Sequence, residues 1–227
     1  MVETPEAPVE TKRSRIFVLD DHPILRQGLA SLVNQQPDLV ICGEAEDAQT
    51  TLNNIETSPP DLIIVDISLK GTNGIDFIKR CLKKHPDLPI LVLTMHDESL
   101  YAERALRAGA RGYIMKKEAT ENLLEAIRVI LNSGVYISKS VSDRMEEESL
   151  KPGQRPKGPL ERLSDRELEM LEQIGRGRKT RIIAADFGLS VKTVEAHREH
   201  IKTKLKINSA NELLRYATQW TEDVSDR

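Results

Sequence analysis

Apolar residues in the first two thirds of the chain follow two alternating rhythms. Short continuous runs, β-branched and bounded by polar residues, alternate with stretches of helical spacing. Arg15-Ile-Phe-Val-Leu-Asp20 is the first run; Pro23 to Gln36 follows with Leu25, Leu29, Leu32 and Val33 at helical spacing. Leu39-Val-Ile-Cys42 and a helical stretch from Asp47 to Ile55 come next. Asp61-Leu-Ile-Ile-Val-Asp66 is the strongest strand pattern, and Gly74 to His85 carries Ile75, Ile78 and Leu82 on one helical face. Pro89-Ile-Leu-Val-Leu-Thr94, Glu98 to Ala108, Gly112-Tyr-Ile-Met-Lys116 and Glu121 to Ser133 complete five β-α units. Apolar strands between amphipathic helices predict an α/β fold with a parallel sheet covered on both faces.

The rhythm stops near Val141. From there to Pro159 an acidic cluster, three prolines and two glycines predict a linker, residues 141–159. Beyond it the pattern is all helical. Ser164-Asp-Arg-Glu167 and Ser209-Ala-Asn-Glu212 both read as capping boxes. Helices are predicted at about 165–174, 180–187, 191–204 and 210–218. The chain thus divides into a disordered leader (1–14), an α/β domain (15–140), the linker, a small all-α domain (160–220) and a tail (221–227).

Composition adds exclusions. No apolar run approaches a membrane span, and the acidic N-terminus lacks the apolar stretch of a secretory signal. Cys42 and Cys81 have no metal-binding spacing and read as reduced packing residues, so a cytoplasmic location is expected. The net charge of −3 conceals a split. Residues 15–139 hold 14 Lys and Arg against 17 Asp and Glu, whereas residues 174–206 hold 9 against 3, a local +6. A local basic segment matters more to a polyanion than the total does.

In an open parallel sheet, ligands bind beyond the carboxyl ends of the strands. The predicted strands end in Asp20-Asp21, Asp66, Thr94 and Lys116. Three carboxylates brought together repel one another, and a Mg²⁺ ion with oxygen ligands would relieve this. Asp66 then reads as a nucleophile toward a phosphoryl group, with Thr94 and Lys116 stabilising its oxygens. His22 is read as a helix-start residue and His85 as solvated; His96 is also read as solvated, at the rim with Ser68, where both would tune hydrolysis.

Residues 14 to about 139 resemble the receiver domain of a two-component response regulator. The resemblance rests on Val-Leu-Asp20-Asp21-His-Pro, Ile-Val-Asp66-Ile-Ser-Leu, Leu-Thr94-Met-His-Asp and Gly-Tyr113-Ile-Met-Lys116-Lys117. It implies a flavodoxin-like, doubly wound five-stranded sheet of order 2-1-3-4-5. It implies phosphorylation at Asp66 and Mg²⁺ held by Asp20, Asp21, Asp66 and the main-chain carbonyl of Ser68. Thr94 and Tyr113 would form a switch pair, the ring filling space that the threonine vacates, with Lys116 as charge partner. Lys70 and Lys117 stand where the family often has Pro. Met95 stands where many members have Ala, and is expected to narrow access to the site.

In the second domain Gly188 suits a tight turn and Ser190 an N-cap between two helices. On the second of these, Val194, Ile201 and Leu205 share a core face with Val191 alongside, and Lys192, Ala196, Glu199 and Thr203 point the other way, with Glu195 at the edge. One packed face and one polar arc fit a helix that reads the major groove. Arg178, Lys179, Thr180, Thr193 and Lys204 are candidate phosphate contacts. The segment resembles the LuxR-type helix-turn-helix domain through Leu163-Ser-Asp-Arg-Glu167, Gly177, Ile183-Ala184, Gly188-Leu-Ser-Val-Lys-Thr193-Val194-Glu195-Ala-His197, Ile201 and Lys204-Leu205. It departs from that family where Ile182 replaces an acid and where Glu195 and Glu199 replace the lysines of some members. Leu213, Ala217 and Trp220 on the last helix are candidates for a dimer contact.

Together the two resemblances imply the NarL/FixJ class of response regulators. A partner histidine kinase would phosphorylate Asp66, and the phosphorylated homodimer would bind double-stranded DNA to control transcription, without membrane association. Its enzymatic chemistry would be limited to accepting a phosphoryl group and slowly losing it. Two other readings stay open: a phosphohydrolase with an aspartyl-phosphate intermediate, which needs a second acid and a substrate pocket, and a receiver-like protein that works unphosphorylated through protein contacts.

Overall fold

The computed structural model describes residues 12–150 and 158–225. Five strands, β1 (Ser14–Leu19), β2 (Leu39–Ala45), β3 (Leu62–Val65), β4 (Ile90–Thr94) and β5 (Gly112–Met115), alternate with helices α1 (Pro23–Asn34), α2 (Ala48–Thr57), α3 (Gly74–Lys84), α4 (Glu98–Arg107) and α5 (Ala119–Leu131). All pairings are parallel and the order is β2-β1-β3-β4-β5. This is the expected doubly wound sheet. Because strand side chains alternate faces, Ile16, Val18, Ile64, Leu91 and Leu93 pack with Leu29, Val33, Leu123 and Ile127 of α1 and α5. Phe17, Leu19, Ile63, Val65 and Val92 pack on the opposite face with α2, α3 and α4.

Side chains fix the helix starts that border the strand ends. Asp47 accepts from Gln49 N and Thr50 N, Asn73 from Ile75 N and Asp97 from Ser99 N. Each satisfies donors that a helix leaves unpaired. Cys42 and Cys81 are free thiols, and burial pushes Cys81 up to about 11.

The segment expected to be an irregular linker begins instead as a helix. α6 (Lys139–Leu150) continues the receiver side, with Val141 fully buried and Arg144 donating to Ser99 O at 2.9 Å. The prolines that suggested a break lie after this helix, at 152, 156 and 159, so the composition marked the end of the segment rather than its whole length. Residues 151–157 of the linker and 1–11 of the leader lie outside the described residues; Ser14 already belongs to β1.

The all-α domain consists of α7 (Asp165–Gly175), α8 (Thr180–Asp186), α9 (Val191–Leu205) and α10 (Ala210–Ser225). The capping box of Ser164 and Glu167 is complete. At Ser209 the second box is shifted: Glu212 N donates to Ser209 Oγ, but the Glu212 carboxylate accepts from Asn208 N. Gly188 has φ +61° at the turn and Ser190 caps α9 by accepting from Thr193 N, both as expected. α10 runs through most of what was expected to be a tail; residues 226–227 lie outside the described residues. Leu213 and Ala217 are fully buried in the domain's own core, so they cannot be the dimer contact. They occupy the stripe facing α7, where a Cβ on Gly175 would stand 2.4 Å from Ala217 O. Leu214 of this helix is exposed, and Trp220 is half-buried.

Gly74 shows how tightly the loop beyond β3 is drawn in. A Cβ there would stand 2.2 Å from Asp66 O and 2.7 Å from Ile67 Cα, both backbone atoms. Gly74→Ala is therefore expected to lower the unfolding free energy by about 1–3 kcal/mol, measured as a reduced urea midpoint at unchanged m-value.

Candidate functional site

β1, β3, β4 and β5 end side by side, and the sheet brings Asp20, Asp21, Asp66, Thr94 and Lys116 to one rim, as the sequence suggested. Asp20 and Asp66 are both buried, at 2% exposure. Lys116 Nζ lies 2.7 Å from Asp20 Oδ2 and 2.6 Å from Asp66 Oδ2. Burial is the largest influence on Lys116 and opposes its charge, yet the two carboxylates hold its pKa above the usual lysine range. Asp21 is pushed up, first by burial and further by Asp20 and Asp66, against lowering by His22 and Lys70. One ammonium does not offset three carboxylates.

Donor atoms of Asp20, Asp21, His22 and Asp66 lie within 4.8 Å of one another. The three carboxylates of that set are hard oxygen donors with negative charge to spare, and they fit a divalent cation such as Mg²⁺. The His22 ring bears on the acid pair, with Nδ1 3.0 Å from Asp20 Oδ1 and 2.9 Å from Asp21 Oδ1. As expected it stands at the start of α1, as N-cap, but it makes no side-chain capping bond. Ser68 N donates to Asp66 Oδ1 at 3.3 Å. Thr94 is fully buried, and its hydroxyl has no hydrogen-bond partner among the described residues. A buried hydroxyl left without a partner calls for an explanation, such as a ligand oxygen that it could meet.

Tyr113 is already buried here, donating through its hydroxyl to His96 O at 2.9 Å. Met95, expected to narrow the entrance, is 67% exposed. His96 is not solvated, contrary to expectation: it is 3% exposed. Its Nε2 is 2.8 Å from Ser68 Oγ, its Nδ1 is 2.6 Å from Glu172 Oε2, and its ring stacks on Tyr101 at 4.2 Å. Burial is the largest influence and opposes charge on the ring, but Glu172, with Glu169 and Asp66, holds the imidazole above its usual range.

Glu172 belongs to α7, so this bond joins the two domains. Arg104 of α4 donates to Leu163 O at 2.8 Å, Leu160 O at 3.0 Å and Asp165 Oδ1 at 2.9 Å. Lys79 of α3 reaches Asp165 at 3.0 Å, and Gly71 N donates to Phe187 O at 3.2 Å. Glu169 is buried against the same surface, its pKa raised by burial despite Arg166 and His96. Neither Glu169 nor Glu172 stood out in the sequence, because a helical wheel for α7 alone places two acids without saying that another domain covers them. The signal was their position among Leu168, Leu171 and Ile174 on a short helix.

The candidate nucleic-acid residues divide in two. Lys179, Lys192, Glu195, Ala196 and Glu199 are exposed, and Val194 and Ile201 are buried on the opposite face of α9, as predicted. Others are engaged within the domain: Arg178 with Asp186, Thr193 with Ser190, and Lys204 with Glu167 at 2.6 Å. Thr180 is half-buried at the start of α8. No helix among the described residues is long and apolar enough to cross a membrane.

Residues 16–128 match the family described as "Response regulator receiver domain", and residues 161–217 the family "Bacterial regulatory proteins, luxR family". The chain is 34% identical over 209 residues to the oxygen regulatory protein NreC of Staphylococcus epidermidis, covering 89% of this chain and 96% of the relative. Salmonella typhimurium RcsB is similar in structure, at 27% identity and a TM-score of 0.66, covering 92% of this chain and 98% of RcsB. RcsB of Salmonella enterica bound to promoter rprA with the phosphomimetic BeF3⁻ also matches, at 27% identity and a TM-score of 0.61, covering 91% of this chain and 99% of that one. A LuxR-family response regulator from Aurantimonas matches at 31% identity and a TM-score of 0.56, over 62% of this chain and all of that one. A receiver rim followed by a LuxR-type reading helix, in a chain that shares nearly its full length with NreC, places this protein in the NarL/FixJ type of DNA-binding response regulators, which control transcription.

Proposed function

We propose that phosphorylation of Asp66 by a partner histidine kinase releases the helical domain from the receiver and lets a homodimer bind double-stranded DNA. The observation that carries this reading is the double engagement of Lys116 by Asp20 and Asp66, beside the unpaired Thr94 hydroxyl. An oxygen of Asp66 attacks phosphorus, and the N–P bond of the donor phosphohistidine breaks as the O–P bond forms. Lys116 and Thr94 then bind oxygens of the transferred group. Asp20, Asp21 and Asp66, with the Ser68 carbonyl, would hold Mg²⁺, which supplies positive charge to the transferring group when bound. Slow hydrolysis of the phosphoaspartate returns the protein to its starting state.

Opening follows from the position of Ser68. It lies two residues beyond the acceptor and touches His96, which in turn holds Glu172 of α7. A phosphoryl group on Asp66 adds charge and acceptor oxygens beside this chain of contacts. Any preference of the phosphorylated rim for a different Ser68 or Thr94 position draws free energy from the domain contact. In the released domain, Lys179 and Lys192 position α9 on phosphates, and Glu195, Ala196 and Glu199 face base edges. The location is taken to be the cytoplasm, where kinase and DNA meet.

Acetyl phosphate with Mg²⁺ is expected to label the protein to about one phosphoryl per chain, and Asp66→Asn to abolish labelling; full labelling of that variant would refute the assignment. Arg104→Ala removes three bonds to the helical domain. Hydrogen bonds to a charged group contribute about 1.5–3 kcal/mol, so the open fraction should rise by about tenfold or more, seen as a larger radius of gyration in X-ray scattering without phosphorylation. DNA binding should weaken steeply as salt is raised, because contacts to phosphates dominate; an affinity insensitive to salt would contradict the placement of α9.

A further inference from the structure

A second cluster of metal-binding groups, built from other residues than the receiver rim, lies in the helical domain; one of its members, His197, also lines a pocket with Gly71, Thr72 and Asn73 of the receiver. Glu167 of α7 and His197 and His200 of α9 each offer one donor atom, and these atoms lie within 4.8 Å of one another. The two histidines are three residues apart, so their rings share a face of α9. Their centroids are 6.5 Å apart and nearly perpendicular. Glu167 is buried and fixed in place by the capping box, accepting from Ser164 N at 2.7 Å. His197 Nδ1 is buried with no hydrogen-bond partner among the described residues, an orphan that the fold and reading-helix assignment leave unexplained.

We infer that Glu167, His197 and His200 form a Zn²⁺ site that ties α9 to α7. Two imidazoles and one carboxylate suit Zn²⁺ and leave a fourth position for water. Imidazole binds metal in its neutral form, and His197 is held below its usual pKa, first by burial and then by His200, Arg166 and Lys204, against the raising effect of Glu167. Bonds of about 2.0–2.2 Å require the donor atoms to draw closer than they now stand. The exposed His200 ring is free to make that movement.

Glu167 now pairs with Lys204 at 2.6 Å, and the Lys204 side chain is part exposed. The metal therefore competes with Lys204 for the carboxylate. Zinc binding frees an ammonium on the helix that faces DNA, so the site would couple metal occupancy to the charge offered to phosphates.

The test is a titration of chelator-treated full-length protein with Zn²⁺ in excess Mg²⁺, followed by calorimetry and thermal unfolding. One zinc per chain and a raised Tm are expected. His200→Ala, a change at an exposed position, should weaken binding at least tenfold and abolish the Tm rise. Lys204→Met should bind several-fold more tightly, and His22→Ala, at the receiver rim, should bind as the unaltered protein does. The inference is overturned by the absence of micromolar binding, by equal binding in His200→Ala, or by loss of the zinc in His22→Ala instead. Unchanged affinity in Lys204→Met overturns the competition with lysine.

Discussion

Asp20 and Asp66 are buried carboxylates that share one ammonium, and the sheet brings them together at a cost that only compensating charge can offset. Lys116 reaches both because β5 ends beside β4, and β1 and β3 are neighbours in the sheet. The order β2-β1-β3-β4-β5 is therefore more than a packing solution. It is the arrangement that brings two acids from the centre of the sheet and a base from its edge to one place. Asp21 adds a third carboxylate beside a single shared ammonium, which is why the rim suits a cation.

The same rim extends into the second domain through side chains that are neither acceptor nor metal ligands. Ser68, His96 and Glu172 form a part-buried polar path, and the Tyr113 hydroxyl is bonded to the backbone at His96. Arg104 and Lys79 converge on Asp165 at the start of α7. Interiors of this kind resist gradual deformation, because a buried polar group that loses its partner carries a large free-energy cost. Under the proposed function, a displacement near Asp66 would be met by keeping the domain contact or by losing it.

The strands and the rim residues were legible because each depends on local pattern: apolar runs set the strands, and the residue ending each run sets the rim; the strand order came from the resemblance to receiver domains. Helix α6 was obscured by its composition, since prolines beyond the helix marked the whole segment as irregular. The burial of His96, Glu169 and Glu172 depends on contacts between residues more than 70 positions apart, and no window along the chain contains both sides. Leu213 and Ala217 illustrate a different gap. A helix stripe shows that something is covered, but not whether the cover is the same chain or a second copy, and here it is the chain's own α7.

Tyr101 stacks on His96 and reaches Glu172, and it is 1% exposed in the joined arrangement. Separating the domains hands part of that aromatic surface to water, at roughly 25 cal/mol for each Å² uncovered. Under the proposed opening, a chain in that condition would gain by meeting another that covers the same face. The response would then scale with the square of the protein's abundance as well as with the strength of the incoming signal, and expression level becomes a second input to the circuit.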